Sequence, residues 1–116
     1  MKEDGWSDDE LRASVVAYLE MLKKQNAKEK FVKNKYYREL SERFGRTESS
    51  FEYRMENISY VLYLMGHSWL KGLKPAKNVG KNIAIKLKRM LNEIDEIKSL
   101  NIIESESKNK NKLDER

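Results

Sequence analysis

Cysteine is absent, so neither a disulfide framework nor a cysteine-ligated metal site is open to this chain. His67 is the only histidine, which excludes histidine-cluster metal sites and argues against nucleophile triads. Pro75 is the only proline. No apolar run reaches the length that spans a bilayer, and the first residues carry no signal-peptide core, so a cytoplasmic location is expected. No glycine-rich phosphate loop and no acidic metal cluster stands out. Asp8, Asp9 and Glu10 fit a helix N-terminus, where carboxylates complement the dipole. An enzyme is therefore not expected, nor is a cofactor or a metal.

What remains is a chain of 116 residues, enough for one domain, with 37% charged residues and a net charge of +5. Few prolines and many charges suit helices better than a sandwich or barrel. The charge is unevenly laid out. Residues 1–20 and 48–70 are net acidic, while 21–47 and 71–90 are net basic. Lys71, Lys74, Lys77, Lys81, Lys86, Lys88 and Arg89 have no acidic residue among them. Two basic blocks flanking one segment suggest a directed field, although a lysine-rich solvated surface has the same composition.

The pattern predicts an all-α domain of about four helices over residues 1–103, followed by a disordered tail or linker over 104–116. Ser7 and Glu10 have capping-box spacing, with Trp6 and Leu11 placed as a hydrophobic staple. Leu11, Val15, Tyr18, Leu19 and Leu22 then repeat with helical period over about 8–24. A second helix is expected from just after Asn34 to Phe44, stopped by Gly45 in the left-handed conformation. Thr47 caps a third, carried by Phe51, Met55, Ile58, Leu62 and Met65 over 48–65. The turn Gly45-Arg46-Thr47 between them has the length of a helix-turn-helix. Residues 67–80 read as an ordered loop pinned by Trp69, Leu70 and Leu73. A fourth helix over 79–98 has Ile83, Leu87, Met90, Leu91, Ile94 and Ile97 on one face. From Glu104 onward the composition is too polar to form a core.

On a helical wheel centred on Phe51, Met55, Ile58 and Leu62 fall within about 40°. Glu48, Glu52 and Glu56 line one flank; Ser50, Tyr53, Arg54 and Asn57 line the other, with Arg46 just before the helix. The second flank has the chemistry for a DNA major groove: arginine for guanine edges, asparagine for adenine, hydroxyls for phosphates. The same residues also read as a solvated helix edge, and Arg54 could instead pair with a carboxylate of the first helix. Thr47 at a helix start, with the cluster Lys33, Asn34 and Lys35, suits phosphate contacts. Lys71, Lys74 and Lys77, with Asn78, are placed to clamp a backbone beside the groove.

Two resemblances add to this reading. Trp6-Ser7-Asp8-Asp9-Glu10-Leu11, Tyr36-Tyr37-Arg38-Glu39-Leu40 and Gly45-Arg46-Thr47 before Ser50 and Arg54 are similar to the Myb/SANT three-helix layout. The third helix here is longer, however, and lacks a tryptophan. Over residues 6–95 the chain also resembles a helical module at the N-terminus of bacterial HNH-endonuclease and other restriction-type proteins. The likeness rests on the string from Arg46 to Leu62, with Ser50, Phe51, Glu52, Arg54, Asn57, Ile58, Ser59, Val61 and Leu62 in register. It continues in the loop Gly66 to Asn78, with Leu70, Gly72 and Pro75. Leu73 departs from that loop pattern, as does Gly80, and no HNH histidine and asparagine set follows. The resemblance implies DNA recognition or targeting without nuclease chemistry.

The expected function is thus a DNA-binding module, transcriptional or restriction/defence related, with helix 48–65 in the major groove of double-stranded DNA. The alternative is a protein-interaction adaptor of a phage or defence system. Its surface would be the apolar face of helix 79–98 and the exposed tyrosines, forming a homodimer or holding a protein partner.

Overall fold

In the computed structural model, which describes residues 5–94, the first helix starts where the capping signal places it. The Ser7 hydroxyl accepts from Glu10 N at 3.1 Å, and the Glu10 carboxylate accepts from Ser7 N at 2.9 Å. Helix α1 spans Asp8–Asn26, α2 Lys33–Phe44, α3 Glu48–Leu64 and α4 Lys81–Glu93. No strand occurs among the described residues. The domain is all-α, as the periodicity implied.

Boundaries follow local chemistry. Gly45 ends α2 at φ 81°, a conformation that costs a residue with a Cβ about 1 kcal/mol. Thr47 accepts from Ser50 N at 3.1 Å and starts α3. Helix α2 begins at Lys33, earlier than expected, and its N-cap, Val32, offers no side-chain hydrogen bond. Helix α4 starts after Gly80 rather than at 79. The expected continuation to 98, Ile97, and the tail 104–116 lie outside the described residues.

Helices α1 and α3 form the central pair, and α2 and α4 each pack against both of them but not against one another. Leu11, Val15, Tyr18, Leu19, Met21 and Leu22 of α1 meet Phe51, Met55, Ile58, Val61 and Leu62 of α3 in the core. Tyr37 and Leu40 close it on the α2 side and Leu87, Met90 and Leu91 on the α4 side. The apolar face of α4 is thus spent inside the domain, leaving Ile85 as its exposed large hydrophobic. No helix among the described residues is long and apolar enough to cross a membrane.

The loop after α3 is part of the core. Leu70 and Leu73 are buried as expected, whereas Trp69 is 37% exposed and lies at the surface. The Tyr18 hydroxyl, inside the bundle, accepts from Leu70 N at 2.9 Å and shares a 2.7 Å hydrogen bond with Ser59 Oγ. Burial outweighs these bonds and pushes the Tyr18 phenol up to about 12.

Candidate nucleic-acid interface

The flank of α3 expected to enter a groove is covered at Arg54 and Asn57, while Tyr53 stays exposed. Arg46, in the turn before α3, faces the N-terminal segment. Its Nε donates to Glu10 Oε2 at 2.8 Å and its Nη2 to Glu10 Oε1 at 3.1 Å and Gly5 O at 2.8 Å. Its guanidinium also lies 4.2 Å from the Trp6 ring centroid. Burial disfavours the Glu10 carboxylate, but Arg46 and the Ser7 amide outweigh it, and Glu10 titrates below its ordinary value. The carboxylate on the first helix is therefore used by Arg46, not by Arg54.

Arg54 lies over the same indole at 4.4 Å, while Trp6 meets Phe51 edge-on with centroids 5.2 Å apart. Burial, then the nearby Arg46 charge, lowers the Arg54 pKa. Arg54 Nη1 donates to Asn57 Oδ1 at 2.9 Å, and Asn57 Nδ2 donates to Ala76 O at 2.8 Å. Asn57 is fully buried. Ala76 N donates to Glu56 O at 3.0 Å and the Tyr53 hydroxyl to Asn78 O at 2.9 Å. The loop around 76–78 therefore lies along the flank that carries Tyr53 and Asn57. Ser50 is half-buried, with its hydroxyl 2.8 Å from the Thr47 hydroxyl.

The expectation that Arg46, Arg54 and Asn57 read base edges is corrected by this geometry. Arg46 is bonded to Glu10 and Gly5, Arg54 is part-buried against Trp6 with Nη1 bonded to Asn57, and Asn57 has no exposed surface. Near the start of α3 the residues left exposed are Thr47, Glu48, Ser49, Glu52 and Tyr53, whose only charges are the two carboxylates, unsuited to phosphates. Glu52 helps raise the Glu56 pKa, behind burial as the larger cause. Helical periodicity missed the cover because it registers one buried face. The second face is closed by Trp6 from the N-terminal segment and by a loop 19 residues beyond Asn57.

The expected lysines behave differently. Lys33 Nζ donates to Lys71 O at 3.4 Å, which joins the start of α2 to the 66–80 loop. Gly72, at φ 87°, lies beneath that ammonium; a Cβ there would come within 3.2 Å of Lys33 Nζ. Lys71 N donates to Gln25 Oε1 at 2.9 Å, so the junction is fixed to α1 as well. Asn34, Lys35, Lys71, Lys74 and Lys77 are exposed and Lys33 is half-buried. Ion pairs among the described residues involve Arg12, Lys24, Arg46, Lys86 and Arg89; none uses these lysines. Thr47 stands apart from them as the exposed cap of α3. Among the described residues, no three His, Cys, Asp or Glu side chains group as metal ligands do.

No protein-family profile, characterised protein or solved structure matches this chain. The restriction-type and Myb-like resemblances therefore stand on the residue strings alone. Among their residues, Arg46, Phe51 and Arg54 hold Trp6, and Tyr53 and Asn57 hold the loop, against α3.

Proposed function

We propose that this domain is a nucleic-acid-binding module, with double-stranded DNA as its partner, that grips phosphates through lysines at the α2–loop junction. One observation supports it most: Lys33, Lys35, Lys71, Lys74 and Lys77 come from two chain segments fastened together, and none has an ion pair among the described residues. Lysines placed this way, outside ion pairs, release counterions when they meet a polyanion. The arginines suited to base edges are engaged internally or lie elsewhere. The grip therefore falls on the backbone and is indifferent to sequence, unlike insertion of α3 into the major groove.

The test is a salt titration of duplex binding by the full chain. Affinity falls steeply with salt, and Lys71→Ala or Lys74→Ala each lowers the magnitude of the slope by about 1. Affinity independent of salt, or unaltered slopes in both variants, overturns the reading.

A protein-interaction adaptor is the second reading. Its support is an open cleft of about 470 Å³ between α1 and α2, lined by Ala13, Val16, Ala17 and Leu40 with Arg12, Glu20, Glu39 and Arg43. Val16 is 46% exposed there. A partner whose capture is insensitive to salt and lost in Val16→Glu, with no duplex binding at low salt, favours this reading.

A further inference from the structure

The end of α3 exposes aromatic surface that the core does not use. Tyr63 is 55% exposed, Leu64 62% and Trp69 37%. The Tyr63 and Trp69 rings meet edge to face, with centroids 5.7 Å apart and planes at 83°. The Tyr60 ring extends the group, tilted by 31° with its centroid 6.4 Å from that of Tyr63. Trp69 sits in a held loop. Gly66 turns the chain at φ 81°, His67 N donates to Leu62 O at 2.9 Å, and Leu70 N donates to the buried Tyr18 hydroxyl.

Glu56 lies one turn before Tyr60 on α3, and beyond it the charges are cationic. From Asn57 to Asn92 the sequence contains no acidic residue. Lys71 follows Trp69 by two positions, so their Cα atoms lie within about 8 Å. The Lys33 ammonium reaches the Lys71 carbonyl at 3.4 Å. Exposed rings with lysines on the adjoining loop form the pairing that holds unpaired bases: the bases stack on rings and the phosphates meet the cations. In a duplex the base faces are already stacked on one another and closed to side chains.

We propose that Tyr60, Tyr63 and Trp69 form a stacking platform for the unpaired bases of a single-stranded polynucleotide, whose phosphates run over Lys71, Lys33 and Lys74. The proposal rests on the phosphate grip of the previous reading but not on its duplex partner: beside the lysines that hold either polymer, this surface adds a preference for single strands. Every base has a π-face, so the platform selects single strands over duplex rather than one sequence over another.

The experiment measures anisotropy of labelled oligothymidylate, oligouridylate and a duplex of equal length with the full chain at one salt concentration. Tyr63→Ala and Trp69→Ala, each checked for an unchanged circular dichroism spectrum, weaken single-strand binding by about five- to hundredfold and leave duplex binding within about twofold. Oligothymidylate quenches the wild-type tryptophan emission, and Trp69→Phe removes that quenching. The comparison of thymidylate with uridylate reports whether DNA or RNA is preferred. Lys71→Glu weakens binding of all three. Should that charge reversal act while both alanine variants hold single strands as the wild type does, the platform fails and the phosphate grip survives. Absence of binding to every polymer overturns both. A dimer that Tyr63→Ala dissociates, with single-strand affinity unchanged, assigns the patch to a second copy of the chain and overturns the proposal.

Discussion

Asn57→Ala separates a base-reading role from a fastening role. In the folded domain the Asn57 amide makes two hydrogen bonds, to Ala76 O at 2.8 Å and from Arg54 Nη1 at 2.9 Å, and the residue has no exposed surface. Truncation removes both and leaves the Ala76 carbonyl and the Arg54 guanidinium without this partner. The neutral bond contributes about 1 kcal/mol and the charged one about 2 kcal/mol. The expected loss is therefore about 3 kcal/mol, against a total stability of roughly 5–13 kcal/mol for a domain of this size. Thermal unfolding should fall by roughly 12–24 °C. Urea denaturation should show a lower midpoint with an unchanged slope. Asn57→Asp keeps an acceptor for Arg54 but loses the donor to Ala76, so it should fall between the two. If Asn57→Ala unfolds at the wild-type midpoint and alters only the preference among DNA sequences, the fastening argument is refuted and the residue reads bases.

Tyr18→Phe strands the buried Leu70 amide and removes the bond to Ser59, and should cost about 2 kcal/mol in urea denaturation. Because the Tyr18 phenol is pushed up to about 12, its neutral form favours folding. That contribution is complete below the ordinary value of 10.0 and is lost as pH rises through about 12, so stability followed by urea midpoint should decline across that window. Glu10 titrates below its ordinary value of 4.5, so its contribution is present at neutral pH and lost as acid carries the solution below that value. Glu10→Gln should flatten the acid limb of the stability profile measured from pH 7 to pH 3. Gly45→Ala meets no atom within 4 Å, so only the backbone strain at φ 81° opposes it, and thermal melting should report a cost of about 1 kcal/mol.

The helices were legible in the sequence because their signals are local. Ser7 and Glu10 are three residues apart, as are Thr47 and Ser50, and both interactions form within one helical turn. Gly45 stops α2 because only glycine takes φ 81° without strain. The apolar repeats of α1 and α3 name their own buried faces, since burial of one stripe is what stabilises an amphipathic helix. The lysine clusters were legible too, as composition.

The tertiary structure decided what the third helix does with its second flank. Arg46 meets Glu10 across 36 residues, Asn57 meets Ala76 across 19, and Tyr18 meets Leu70 across 52. None of these pairs has a periodic signature, because loops and termini are placed by packing rather than by their own repeat. The surface that looked ready for a groove is the one on which Trp6 and the 76–78 segment close. Lys33 and Lys71, 38 residues apart, become neighbours by the same folding. The sequence by itself determined four helices and a cationic chain; only long-range packing decided which of its polar groups remain outside to meet a partner.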